Sequence, residues 1–175
     1  MPIKTIFLDR DGVINKEKNY LYKIEDFEFI NGVFQACRHL NKLGYKIIIV
    51  TNQSGISRGY YSIEDFEKLN DWMLIEFKKH HVDILDVFYC PHSPSDKCNC
   101  RKPKAGMFIS AKNKHNINMN NSWMIGDSER DIAAASKAGI TNTILVRSGH
   151  KIDEGNSKAK FHLNSIKDIK DIIKF

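Results

Sequence analysis

Ile3-Lys4-Thr5-Ile6-Phe7-Leu8-Asp9-Arg10-Asp11-Gly12 is the stretch on which the reading of the whole chain turns. Ile3 to Leu8 is a short apolar run suited to a strand buried on both faces, and it ends on two carboxylates two residues apart. Strand side chains alternate, so Asp9 and Asp11 start toward the same side, and Gly12 lets the chain turn tightly behind them. Two like charges that close need a cation or a proton between them. A hard divalent ion with oxygen ligands, Mg²⁺ above all, meets that need. Taken alone, Asp-x-Asp at a strand end is more often an Asx-type turn, so the decision passes to the rest of the chain.

Tyr45 to Val50, Ile84 to Tyr89, Ser122 to Ile125 and Thr143 to Val146 are further strand-sized runs. Helical patterns lie between them. Gly32 to Leu43 carries Val33, Ala36, Cys37 and Leu40 at three- and four-residue intervals and stops at Gly44. Ser62 opens another helix, with Asp65 three positions on and an apolar stripe of Ile63, Phe66, Leu69, Met73 and Phe77. Glu129 to Lys137 and Ile166 to Ile173 are read the same way. Alternating strands and helices predict an α/β fold, a three-layer sandwich around a mainly parallel sheet, with ligands bound beyond the carboxyl ends of the strands. Asn15 to Asn31 and Pro91 to Ala105 escape the alternation, and both follow strands. No repeat or linker divides residues 1–175, so one domain is expected.

The 175 residues are 42% hydrophobic with a mean hydropathy of -0.41, ordinary for a globular chain. Apolar runs such as Ile47 to Val50 fall far short of the roughly 20 residues of a membrane helix, and the N-terminus lacks the pattern of a secretory signal. A cytoplasmic protein with no membrane partner is expected. The net charge is +6, but the lysines are scattered singly rather than clustered, which favours a solvated surface over a nucleic-acid interface. A monomer is expected.

The ends of the other strands carry complementary chemistry. Thr51-Asn52-Gln53-Ser54-Gly55 supplies hydroxyl and amide donors, Arg101-Lys102 supplies cations, and Gly126-Asp127 supplies another carboxylate. With Asp9-x-Asp11-Gly12, Thr51-Asn52, Lys102 and Gly126-Asp127-Ser128-Glu129-Arg130-Asp131 in place, the chain resembles the haloacid dehalogenase-like (HAD-like) phosphohydrolases. Phe7 to Asn15, Thr51 to Gly59 and Cys98-Asn99-Cys100-Arg101-Lys102-Pro103 narrow the likeness to the heptose-bisphosphate and histidinol-phosphate phosphatases within them.

That resemblance implies a HAD-like Rossmannoid fold without a large cap domain, because neither gap between motifs has room for one. It implies a phosphatase in which Asp9 is the nucleophile, Asp11 the general acid and base, and Thr51 and Lys102 the phosphoryl ligands. Mg²⁺ would be held by Asp9, the backbone carbonyl of Asp11, and Asp127. Asp131 could be a second acid of this motif or an early-helix residue favoured by the helix dipole, and is not assigned as a ligand. Glu17, Lys18, Asn19, Tyr20, Asn52, Gln53, Ser54, Arg58, Arg101 and Ser128 match positions that touch a phosphorylated sugar. Ser128 stands where lysine is expected. Arg101 suits a second phosphate, since its planar fork binds oxyanions bidentately. The implied reaction removes the 7-phosphate of a heptose 1,7-bisphosphate, on the way to nucleotide-activated heptose for lipopolysaccharide or capsule; histidinol phosphate is the alternative substrate.

Cys90-Pro91-His92 and Cys98-Asn99-Cys100 form a loop at 90–100 with the ligand set of a closed tetrahedral zinc site, though the one-residue spacing within each pair is unusual. A reducing compartment disfavours disulfides. The related phosphatases imply the same four ligands and a structural Zn²⁺. Cys37 lies on an apolar helix stripe and is read as core. His39, His80, His81, His115, His150 and His162 show no partner pattern and are placed at surface or boundary positions.

Overall fold

The computed structural model describes residues 1–174. Six strands, β1 (Thr5–Leu8), β2 (Lys46–Asn52), β3 (Ile84–Cys90), β4 (Trp123–Gly126), β5 (Asn142–Val146) and β6 (Phe161–Leu163), form one sheet in the order β3-β2-β1-β4-β5-β6. Every pairing is parallel. The chain runs outward from β1 through β2 to β3, returns to lay β4 beside β1, and runs outward again on the other side. The direction of winding therefore reverses between β1 and β4, which opens a crevice beyond their carboxyl ends.

Helices α1 (Val33–Lys42) and α2 (Ile63–Lys79) cover one face, and α3 (Gly106–His115) and α4 (Glu129–Lys137) the other. Ile6, Leu8, Ile47 and Ile49 pack with Val33, Cys37 and Leu40 of α1 and Leu69, Met73 and Phe77 of α2. Phe7, Ile48 and Val50 turn the opposite way, onto Met107, Phe108 and Ala111 of α3 and Ala134 and Ala135 of α4. Burial on both faces explains why the strands read as unbroken apolar runs. Cys37 is fully buried as expected, and burial pushes its thiol pKa up to about 12. At the start of α2, the Asp65 N–H donates to Ser62 Oγ at 3.1 Å and the Ser62 N–H to Asp65 Oδ2 at 2.9 Å. Such a reciprocal cap contributes about 1 kcal/mol.

Three elements differ from the sequence reading. Helix α3 carries no clean stripe, because Ile109 is 41% exposed beside the buried Met107 and Phe108. Strand β6 is only three residues long, too short for an alternation to register. Ile166–Asp171 forms a 3₁₀ rather than an α-helix; its buried Ile166 and Ile169 recur every third residue, the repeat of the tighter helix. Ile63, placed on the apolar stripe of α2, is 42% exposed at its first turn.

At the β3 edge of the sheet, Asp86 Oδ1 accepts the Val87 N–H at 2.8 Å, while its Oδ2 lies 2.7 Å from both Lys114 Nζ and His115 Nε2. No helix among the described residues is long and apolar enough to cross a membrane.

Candidate active site

Asp9 leaves β1, Asp127 leaves β4, Asp131 sits in the first turn of α4, and Lys102 arrives from the segment between β3 and α3. All four meet in the crevice and all are at most 9% exposed. Lys102 Nζ donates to Asp9 Oδ1 and to the Val50 carbonyl, each at 2.8 Å, and stands 2.7 Å from Asp131 Oδ1. One ammonium thus bridges two carboxylates, with Asp127 the third acid of the cluster. Burial, followed by the Asp131 charge, holds Asp9 well above the usual carboxylate range. The same two causes raise Asp127 to about 6. Burial works against the charge on Lys102, but Asp131 and Asp9 outweigh it and raise its pKa.

Asp9, Asp127 and Asp131 each offer an oxygen within 4.8 Å of the others. Buried carboxylates with more negative charge than one lysine can neutralise fit a hard divalent cation. Asp131 also does helix work: its Oδ2 accepts the N–H groups of Asp127 and Ser128, both at 3.1 Å, closing a cap on α4. The early-helix role therefore exists, and the ion pair with Lys102 comes in addition.

Asp11 is held from three directions. Arg10 donates through Nε at 3.2 Å and Nη2 at 3.0 Å, Asn15 Nδ2 at 3.0 Å and Gln53 Nε2 at 3.2 Å. Arg10 is itself buried, with Nη2 also on the Leu21 carbonyl at 3.1 Å. The backbone closes on Asp127 so tightly that side chains have no room. A Cβ on Gly12, whose φ is +88°, would lie 2.3 Å from Asp127 Oδ2, and one on Gly149 would lie 2.1 Å from it. The next residue, His150, places its N–H at 2.9 Å and its Nδ1 at 2.6 Å from the same oxygen. His150 lies at the surface as expected, its ring half exposed, but the expectation that it has no partner is corrected, since it reaches into the crevice to Asp127. Its position four residues past β5, at the carboxyl edge, was the signal available in the sequence.

Thr51 is buried, and its Oγ1 accepts from Gln53 Nε2 at 2.8 Å. Asn52 grips the Lys102 backbone, donating to its carbonyl at 3.1 Å and accepting its N–H at 3.0 Å. Its amide is engaged in positioning Lys102 while the residue still lines the crevice. Outside the carboxylates lies a cleft of about 210 Å³ lined by Glu17, Asn19, Tyr20, Asn52, Gln53, Ser54, Arg101, Arg130 and His150, among others. Asn19 and Tyr20 hold left-handed backbone angles of φ 43° and 57°, uncommon for residues with side chains and concentrated here at the cleft wall. Arg58 stands 5.7 Å over the Tyr20 ring.

Lys18 does not join them: its Nζ donates to the Asp26 carbonyl at 2.8 Å and lies 3.5 Å from Glu28. The Glu28 carboxylate draws it away from the cleft. Ser128 caps α4, and its Oγ accepts the N–H and the Nε of Arg130 at 3.3 and 3.4 Å. Arg130 was missed in the sequence, where it reads as an ordinary surface cation.

The second cluster lies beside the first. Cys90 Sγ is 3.4 Å from His92 Nδ1, 3.8 Å from Cys98 Sγ and 2.9 Å from Cys100 Sγ, and His92 Nδ1 is 3.2 Å from Cys100 Sγ. The thiols are free, and one ligand atom from each residue lies within 4.8 Å of the others. Three sulfurs and an imidazole converging this closely are the donor set of a closed tetrahedral zinc site. Arg101 follows directly, its Nη1 on the His92 carbonyl at 3.3 Å.

Comparison with known proteins agrees with this geometry. A family model described as HAD-hydrolase-like matches residues 99–171. The chain is 48% identical over 164 residues to the D-glycero-alpha-D-manno-heptose-1,7-bisphosphate 7-phosphatase of Photorhabdus laumondii, spanning 90% of each protein. It is 45% identical over 174 residues to the D-glycero-beta-D-manno-heptose-1,7-bisphosphate 7-phosphatase of Haemophilus ducreyi, spanning 95% of this chain and 96% of the relative. Among solved structures, the D,D-heptose 1,7-bisphosphate phosphatase of B. bronchiseptica, complexed with magnesium and phosphate, has a TM-score of 0.84 at 28% identity over 97% of each chain.

Proposed function

The chain belongs to the heptose-1,7-bisphosphate 7-phosphatases of the HAD-like hydrolases, and we propose that it removes the 7-phosphate of D-glycero-D-manno-heptose 1,7-bisphosphate. The observation that carries this reading is Asp9 held 2.8 Å from the buried Lys102, with Asp11 fixed two residues on. A carboxylate oxygen of Asp9 attacks phosphorus in line as the bond to the sugar oxygen breaks. Asp11 gives its proton to that oxygen, releasing heptose 1-phosphate. It then takes a proton from the water that attacks the aspartyl-phosphate, freeing inorganic phosphate and regenerating Asp9. The bonds from Arg10, Asn15 and Gln53 fix the direction of the Asp11 carboxyl through both steps.

Lys102 and the Thr51 hydroxyl face the phosphoryl oxygens. Mg²⁺ held by Asp9, Asp127 and the Asp11 carbonyl would offset charge on the transferring phosphoryl group when bound. Zn²⁺ on Cys90, His92, Cys98 and Cys100 would be structural, because four protein ligands leave no open position. It would fix a segment that has no helix or strand of its own and that ends on Arg101 and Lys102. The second phosphate goes to Arg101. The setting proposed is a cytoplasmic monomer feeding heptose 1-phosphate into nucleotide-activated heptose for lipopolysaccharide or capsule.

Relatives carrying alpha and beta names are similar at 48% and 45%, so the test uses both anomers. Phosphate release with Mg²⁺ is measured on each anomer of the heptose bisphosphate and on histidinol phosphate. We expect one heptose anomer to exceed histidinol phosphate in kcat/KM by a wide margin. The reverse order would overturn the substrate while leaving the catalytic residues in place.

A further inference from the structure

Arg10 and Arg147 pair with carboxylates and Arg38 bonds the His80 carbonyl, whereas Arg58, Arg101 and Arg130, around the cleft, have no carboxylate partner among the described residues. Arg101 and Arg130 line the same outer cleft, and Arg58 stands over the ring of Tyr20 at its wall. Guanidinium groups brought together without counter-ions are unfavourable until an anion sits among them.

Arg130 is placed for that task in a way its neighbours are not. It lines the inner crevice with Asp9, Lys102 and Asp127, and also the outer cleft with Tyr20 and Arg101. It occupies the first turn of α4, where the helix dipole disfavours a cation. Ser128 Oγ accepts its Nε, so one edge of the guanidinium is anchored and the terminal nitrogens are free to bind in parallel. We propose that Arg130, together with Arg101, grips the second phosphate of the substrate, and that Arg130 sets the preference of this enzyme for bisphosphates over monophosphate esters. The inference rests on the heptose-bisphosphate reading and assigns within it a residue that makes up for a serine at position 128.

The test is kcat/KM of wild type, Arg130→Ala and Arg130→Lys on the better heptose 1,7-bisphosphate anomer and on heptose 7-phosphate, which lacks the second phosphate. For Arg130→Ala we expect a loss of about 10- to 100-fold on the bisphosphate, carried mainly by KM, and a much smaller loss on the monophosphate. Arg130→Lys should recover part of the difference, since it keeps the charge and loses the fork. Each variant is its own control, because the ratio between two substrates does not depend on how much enzyme is folded. Equal losses on both substrates, with the wild-type preference intact, overturn the Arg130 assignment alone. A wild type that treats both esters alike overturns the assignment and the bisphosphate reading together.

Discussion

The carboxylate centre is gathered from four places in the chain, whereas the Cys/His cluster comes from one. Asp9, Lys102, Asp127 and Asp131 are carried by the ends of β1 and β4, by the segment after β3 and by the first turn of α4. Each has a partner in the protein itself: a lysine, a backbone N–H or a helix cap. The Cys/His ligands all lie between positions 90 and 100, in a segment without helix or strand beyond Cys90. Their polar contacts are largely with one another. The sheet-borne cluster is held by the fold around it, whereas the loop-borne cluster has mainly its own members to hold it, the situation in which a bound ion would add most order. Asn52 joins the two, because it holds the Lys102 backbone where the loop delivers it.

This contrast can be broken in four places. Asp9→Asn should lower kcat by about 10⁴-fold or more while zinc content and the melting curve stay near wild type. Turnover within a hundredfold of wild type would remove Asp9 as nucleophile. Cys100→Ala should lose the equivalent of zinc found by metal analysis, open residues 91–105 to proteolysis and cost about 10- to 100-fold in kcat/KM. A variant that keeps one zinc and an unchanged KM would show the loop to be self-supporting. Asn52→Ala should cost roughly tenfold, about the worth of one backbone-positioning pair, with zinc retained; zinc loss instead would mean that Asn52 supports the loop rather than the lysine.

The smallest effect lies far from both clusters. Burial alone would raise the Asp86 pKa, but Lys114, His115 and the Val87 N–H outweigh it, and the pKa is lowered. A depressed carboxylate stabilises the fold above its ordinary value of 3.8 and loses that contribution as pH falls through the folded pKa. Asp86→Asn should therefore cost about 0.5 to 1 kcal/mol in urea unfolding at pH 7. The gap to wild type should narrow below pH 3.8. A gap of constant size would assign the loss to packing.

Much of the fold was legible because buried parallel strands announce themselves as apolar runs, as Ile47 to Val50 does, and because Ser62 and Asp65 form their cap from local chemistry. Helix α3 and strand β6 were not legible, since their apolar residues satisfy tertiary neighbours rather than a periodic pattern. In the site, the residues that carry motif chemistry were visible: Asp9, Asp11 and Asp127 lie at strand ends or just beyond them, and Lys102 follows the Cys/His loop after β3. The holding roles were not visible, even where the residue itself, like Asn52, was singled out as a substrate contact. Arg10 behind Asp11, Asn52 on Lys102 and His150 on Asp127 act through contacts across 1 to 50 positions, and only the folded backbone brings such partners together. Lys18 failed for the opposite reason, because an acidic residue ten positions on claimed it.

Both outer strands of the sheet are poor templates. Along β3, Asp86 takes up one backbone donor and gathers two basic side chains around the rim. At the other margin, β6 offers only three residues. An incoming strand would meet charge on one side and too short a ladder on the other, so neither margin of the six-stranded sheet is a ready template for strand addition.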